Sequence, residues 1–151
     1  MAGAHEQQNA RPIQPDGRLH GVIVAVRRQD GRLLMIRRAW HLRAGGRVCF
    51  PGGVVELGEL PELAAVREMR EELGIDVKLL KCVWVWDAPS TPLKLFGWIA
   101  EWAGGEIRPD PREVADVLWL TPQEGTDHVD GLPTNRDFIA ALAGPPGGEL
   151  A

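Results

Sequence analysis

The chain has no tyrosine and only two cysteines among its 151 residues. Cys49 and Cys82 are too few and too far apart for a disulfide framework or a short-spaced metal-ligand pair, and both lie among apolar residues, which reads as reduced side chains packed in a core. No apolar run approaches the roughly 20 residues that a membrane-spanning helix needs. The first residues, "MAGAHEQQNARPIQPDG", are polar and lack the apolar stretch of a secretory signal. Positive charge is in deficit: 17 Lys and Arg stand against 21 Asp and Glu, a formal charge of −4. Such a chain has no global field to hold a long polyanion, so long nucleic acid is not an expected partner, nor is a membrane. A small phosphorylated ligand would need local arginines or a bridging cation. Internal repeats are also lacking. The length suits one domain, expected over residues 18–143, with flexible segments at 1–17 and 144–151, in the cytoplasm, as a monomer or homodimer.

Strand-like runs are plentiful. "HGVIVAVRR" and "RLLMIRRAW" flank "QDG", a turn signal that predicts an antiparallel hairpin. "GGRVCFPGGVV" reads as a short strand entering a glycine turn, "DVKLLKCVWVWD" and "LKLFGWIAEW" as strands around an "APSTP" loop, and "ADVLWL" as another. "LGELPELAAVREMREELG" has helical periodicity, a first-turn proline and a closing glycine, Gly74; "LPTNRDFIAALAG" ends the domain as a second helix capped by Thr134 or Asn135. The expected architecture is α/β, a mixed sheet between helices.

The first of these helices poses a problem. At about 100° per residue, Glu68, Glu71 and Glu72 fall on one face, while Val66, Met69 and Leu73 form an apolar stripe beside it. The acids are thus expected to face away from the main packing. Glu71 and Glu72 occupy the last turn, where the helix dipole is negative and cations are preferred. Glu68 and Glu72 are also a like-charge i,i+4 pair, and Arg67 can balance only part of the cluster through Glu71. A solvated acidic face would explain the charges but not their placement. Something positive is missing beside them.

The spacing sharpens this reading. Gly53, Glu59, Arg67-Glu68-Met69, Glu71-Glu72 and Gly74-Ile75 follow G-x5-E-x7-R-E-U-x-E-E-x-G-U, with U apolar. The chain therefore resembles the Nudix (MutT-like) hydrolases, firmly over this box and loosely over about residues 18–143. The resemblance implies a Nudix-type α/β/α sandwich and a Mg²⁺- or Mn²⁺-dependent enzyme cleaving the diphosphate linkage of a small nucleotide. It implies metal ligation by Glu68, Glu71, Glu72 and the carbonyl of Gly52, and support of the site by Gly53, Glu59, Arg67 and Gly74. Glu71 or Glu72 is expected to deprotonate the attacking water, with Glu113, in "PREVADVLWL", as a further catalytic carboxylate on a later loop. Ala64 and Ala65 are expected to leave room for hydrated ions.

Substrate selection is less directly written. Trp40 lies in the loop "RRAWHLRAGGR" among Arg37, Arg38, Arg43 and Arg47, which could meet phosphates; Trp40, Arg37, Arg38 and Arg47 are expected to contact substrate. Of the other aromatics, Trp84 and Trp86 share one face of their strand, and Phe96, Trp98 and Trp102 share a face of the next, where core packing competes with base stacking. Absence of tyrosine removes a residue typical of family members acting on dinucleoside polyphosphates. Pro89, downstream of the box, is the kind of marker seen in members acting on nucleoside diphosphate sugars. The compact "FPGGVVELGE" looks more like triphosphate-cleaving members. A nucleoside triphosphate, giving the monophosphate and pyrophosphate, is therefore expected first; a diphosphate sugar of the ADP-ribose type or NADH comes second. A non-catalytic nucleotide sensor is the reading from another class.

Overall fold

The structure is a computed structural model and describes residues 11–144. Among these residues, seven strands and three helices follow in order: β1 (Leu19–Val26), β2 (Leu33–Arg38), β3 (Val48–Cys49), β4 (Gly52–Val54), α1 (Pro61–Leu73), β5 (Ile75–Asp87), β6 (Leu93–Gly105), β7 (Val114–Leu120), α2 (Pro122–Asp127) and α3 (Thr134–Leu142). The strands form a four-stranded sheet, β4-β1-β6-β5, and a three-stranded sheet, β3-β2-β7. β1 and β6 are parallel; the other neighbours are antiparallel. This is the mixed α/β architecture expected from the sequence.

The expected β1–β2 hairpin does not form. Its turn is present: the Arg28 amide donates to the Arg32 carbonyl at 2.8 Å and Gly31 takes φ 85°. Beyond one bridge, Arg27 to Leu33, the strands part into different sheets. Both strands bury both faces. Val22, Val24 and Val26 of β1 enter a core shared with Met69 and Leu73 of α1, whereas Ala25 packs with Phe138 and Leu142 of α3. A strand apolar on both faces takes its register from layers above and below it, not from the nearest turn.

Three other readings are corrected. The glycine turn at Gly52-Gly53 is strand β4, with Gly53 opposite Val22 of β1. Neither Thr134 nor Asn135 caps α3; its N-cap is Pro133, and buried Asn135 donates from Nδ2 to the Val48 carbonyl at 2.9 Å, tying α3 to β3. Helix α2 was not foreseen, although Thr121 and Glu124 form the reciprocal capping box its sequence encodes. The long β5–β6 hairpin, β7, and helix α1 with its N-terminal proline and left-handed Gly74 are as read.

Residues 11–17, placed by the sequence in a flexible segment, lie against the domain: Ile13 bridges to Leu19, and Gln14 Nε2 reaches the Val55 carbonyl at 3.4 Å. Residues 1–10 and 145–151 of the segments expected to be flexible lie outside the described residues. Both cysteines are free; Cys49 is buried, which pushes its thiol up to about 12, and Cys82 is half-buried.

Candidate metal centre and active site

Helix α1 runs against β4, β1 and β5, and two features let it come close. Ala64 and Ala65 are fully buried at its packed surface. Rather than opening space for hydrated ions, they allow the helix to sit down on the sheet. At Gly53 a Cβ would overlap the Glu68 carboxylate, and at Gly52 it would overlap the Val22 carbonyl, so both positions need glycine.

The close approach carries the acids inward. Glu72 is 3% exposed, contrary to an outward acidic face, and its Oε2 accepts the Gly52 amide at 3.2 Å. Glu68 is half-buried beside it. Glu113, from the turn before β7, completes a group of three whose ligand oxygens all lie within 4.8 Å of one another. The loop is held in place by Ala39, whose amide donates to the Glu113 carbonyl at 2.9 Å. Burial pushes the Glu72 carboxyl up to about 8, against the Gly52 hydrogen bond, and the charges of Glu113 and Glu68 add to it. Burial likewise moves Glu68 up to about 7, opposed by Arg67. Two desolvated carboxylates and a third at their side form a site short of positive charge. Oxygen donors in this number and spacing suit a hard divalent cation.

Arg67 organises the surroundings. It binds Glu59 through two bonds, Nε to Oε2 at 2.8 Å and Nη2 to Oε1 at 2.9 Å. It also donates to Glu68 at 2.9 Å, to Glu71 at 3.0 Å and to the Val54 carbonyl at 2.9 Å. Glu59 in turn accepts the Glu56 amide at 3.1 Å, and its carboxyl is held below its ordinary value, chiefly by Arg67. One guanidinium thus joins the loop after β4 to the helix carrying the acids. Glu71 is outside the cluster: its side chain is 60% exposed and spent on Arg67.

The arginines divide. Arg38 lines a cavity of about 300 Å³ with Gly52, Gly53, Glu68, Glu72 and Glu113. It also lines two adjoining spaces, an apolar one of about 280 Å³ and a groove of about 710 Å³ that includes Arg11 and Arg43. Arg37 is committed to Asp130 at 2.9 Å and to the Gly46 carbonyl at 2.7 Å, and exposed Arg47 adds its charge near Asp130. Trp40 is 72% exposed, lies against Gly46 and lines none of these three spaces. Arg43, which lies in the Trp40 loop, lines the groove as its position in the sequence suggested, whereas Arg11 was missed; a single arginine ahead of the first strand carries no spacing signal. Among the other aromatics, Trp84 stacks on Trp86 at 5.9 Å, and Phe96 and Trp98 pack against the core that seats α1.

The NUDIX domain family matches residues 17–142, most of the chain. The chain belongs to this family. Among its relatives, the NAD-capped RNA hydrolase NudC of Salmonella paratyphi C is 37% identical over 127 residues, covering 83% of this chain and 42% of that protein. The chain thus spans less than half the length of that relative. A MutT-like protein of Streptomyces ambofaciens is 38% identical over 117 residues, 74% of this chain and 70% of the relative. Among solved structures, the MutT NUDIX hydrolase of Burkholderia pseudomallei superposes with a TM-score of 0.72 at 26% identity, covering 82% of this chain and 97% of that one. By family the chain is a Nudix domain of MutT-like architecture, as the box implied, and Nudix members generally use divalent metal. No helix among the described residues is long and apolar enough to cross a membrane.

Proposed function

We propose that this Nudix domain hydrolyses the diphosphate linkage of a small nucleotide with Mg²⁺ or Mn²⁺, a nucleoside triphosphate being the leading substrate. One observation carries the reading: Glu68 and Glu72 from α1 and Glu113 from a distant loop converge around a buried, uncompensated carboxylate. In this reading Glu68, Glu72 and the main chain at Gly52 hold the cation, which supplies charge neutralisation and Lewis acidity for the phosphoryl oxygens. Glu113, exposed at the mouth, accepts the proton of the attacking water. Glu71 keeps Arg67 in place, and Arg67 with Glu59 holds the helix against the loop. Arg38 faces the cavity and binds phosphate oxygens. The apolar space lined by Val22, Leu95 and Leu132 takes the base, with Arg11 and Arg43 along the groove beyond. The protein works in the cytoplasm as a monomer or homodimer.

A second reading is favoured by the relatives named NAD-capped RNA hydrolase. In it the substrate is a dinucleotide diphosphate such as NADH, free or as the 5′ end of an RNA, or a diphosphate sugar. Phosphate and nucleotide release with Mg²⁺ should be measured across deoxynucleoside triphosphates, ADP-ribose, NADH and a NAD-capped oligonucleotide. Triphosphate turnover exceeding the others at least tenfold in kcat/KM supports the first reading. Preference for the NAD-containing substrates selects the second. No metal-dependent hydrolysis of any of them would overturn both.

A further inference from the structure

The parting of β1 from β2 opens the sandwich at the end opposite the carboxylates. Trp119 lies on the order of 20 Å along β7 from Glu113, at about 3.3 Å per residue. There a cleft of about 640 Å³ is lined by Arg27, Arg28, Leu80, Glu101, Trp102 and Trp119. It shares no lining residue with the cavity at the acids.

The cleft has an oriented aromatic floor. Trp102 stacks on Trp119 with ring centroids 6.4 Å apart and planes 19° from parallel. Its indole N–H donates to the carbonyls of Gly104 at 2.9 Å and Gly105 at 3.1 Å, which fixes the ring, yet the residue remains 43% exposed. The Arg28 guanidinium lies 4.8 Å from the Trp119 ring centroid. Arg28 is also paired with Asp30 at 2.6 Å, whereas exposed Arg27 has no ion pair among the described residues. A fixed, half-open indole suits a planar aromatic group, because stacking depends on the π-face and tolerates different rings. The neighbouring cation suits an anion attached to that group. Asp30, shared between Arg28 and Arg32, and exposed Glu101 in the lining partly offset the arginines, so the local charge accommodates one phosphate better than three.

We propose that this cleft binds a nucleoside monophosphate, its base stacked on Trp102 and its phosphate beside Arg27. The site is independent of the carboxylate cluster and of any substrate assigned there.

Titration of the full chain with AMP in EDTA, read by calorimetry and by the NMR signal of the Trp102 indole N–H, tests the assignment without turnover. AMP should bind and move that signal. Adenosine, ribose 5-phosphate and ATP should each bind at least tenfold more weakly. Trp102→Ala should weaken AMP binding at least tenfold and Arg27→Ala severalfold, while Trp102→Phe, which keeps a stacking ring, should stay within about threefold of the parent. Glu72→Gln should leave AMP binding unchanged. No response at millimolar AMP would overturn the proposal. So would binding that survives both Trp102→Ala and Arg27→Ala but is lost in Arg38→Ala, which would put the nucleotide beside the acids. Hydrolysis, measured separately with Mg²⁺, reports on the carboxylate site alone.

Discussion

The Gly52 amide donates to Glu72 Oε2 across 3.2 Å, the one hydrogen bond given to this buried carboxylate among the described residues. It joins β4 to the last turn of α1 and leaves most of the carboxylate's hydrogen-bonding capacity unused. A buried anion this poorly compensated is costly unless it is protonated or bound to a cation.

Glu72→Gln should therefore separate stability from activity. The metal-free variant should be as stable as the parent at pH 8, or more stable, while turnover with Mg²⁺ falls by orders of magnitude. Thermal melts without metal decide the first part. Destabilisation by more than about 1 kcal/mol, beyond what most surface changes produce, would mean that the charge is structural.

The pH dependence has a defined sign. Glu72 is raised to about 8 and Glu68 to about 7, each from 4.5, so the folded chain binds more protons than the unfolded one between those values. The protonated carboxyls cost nothing below about pH 4.5; the penalty grows as pH rises and is complete above about 8. Urea denaturation in EDTA should show stability contributed by these groups falling from pH 5 to pH 8, with a smaller fall in Glu72→Gln. Equal slopes in the two proteins would contradict the assignment.

A divalent cation that binds the ionised acids of the folded state should reverse that loss. Mg²⁺ or Mn²⁺ should raise Tm more at pH 8 than at pH 6, because binding competes with protons for the same oxygens. Activity should rise toward alkaline pH and vanish in excess EDTA. An unchanged Tm on adding millimolar Mn²⁺ at pH 8 would place the cation elsewhere.

Arg67→Ala should harm folding and activity together. It removes the partner of Glu59, Glu68 and Glu71 and a donor to the Val54 carbonyl. Loss of about 2 kcal/mol in a denaturant titration is expected, since breaking a partly buried network leaves its acids uncompensated. Full stability with lost turnover would instead make Arg67 a substrate contact.

Glu113→Gln should behave differently. Its side chain is exposed, so the melting temperature should stay within the small range of surface substitutions, while kcat falls at least tenfold. Unaltered kcat at saturating Mg²⁺ would remove Glu113 from the chemistry.

Much of the box was legible because its logic is local. The spacing of Glu68, Glu71 and Glu72 on one helix, the first-turn proline and left-handed Gly74 are properties of consecutive residues, and helix geometry converts them into a shared face. Glycine at 52 and 53 could likewise be read as a demand for close approach. The capping box of α2 was equally local and could have been read from Thr121 to Glu124.

Tertiary structure alone decided which acid became buried. The helical wheel puts Glu72 between the acidic face and the apolar stripe, and only the seating of Ala64 and Ala65 on the sheet turns it inward while Glu71 stays in water. Distance along the chain hid the arrival of Glu113, and the match between two-faced apolar strands and their layers overruled the Asp-Gly turn between β1 and β2. The local code set what each segment could become; competition among segments for the same buried surface set where their side chains met.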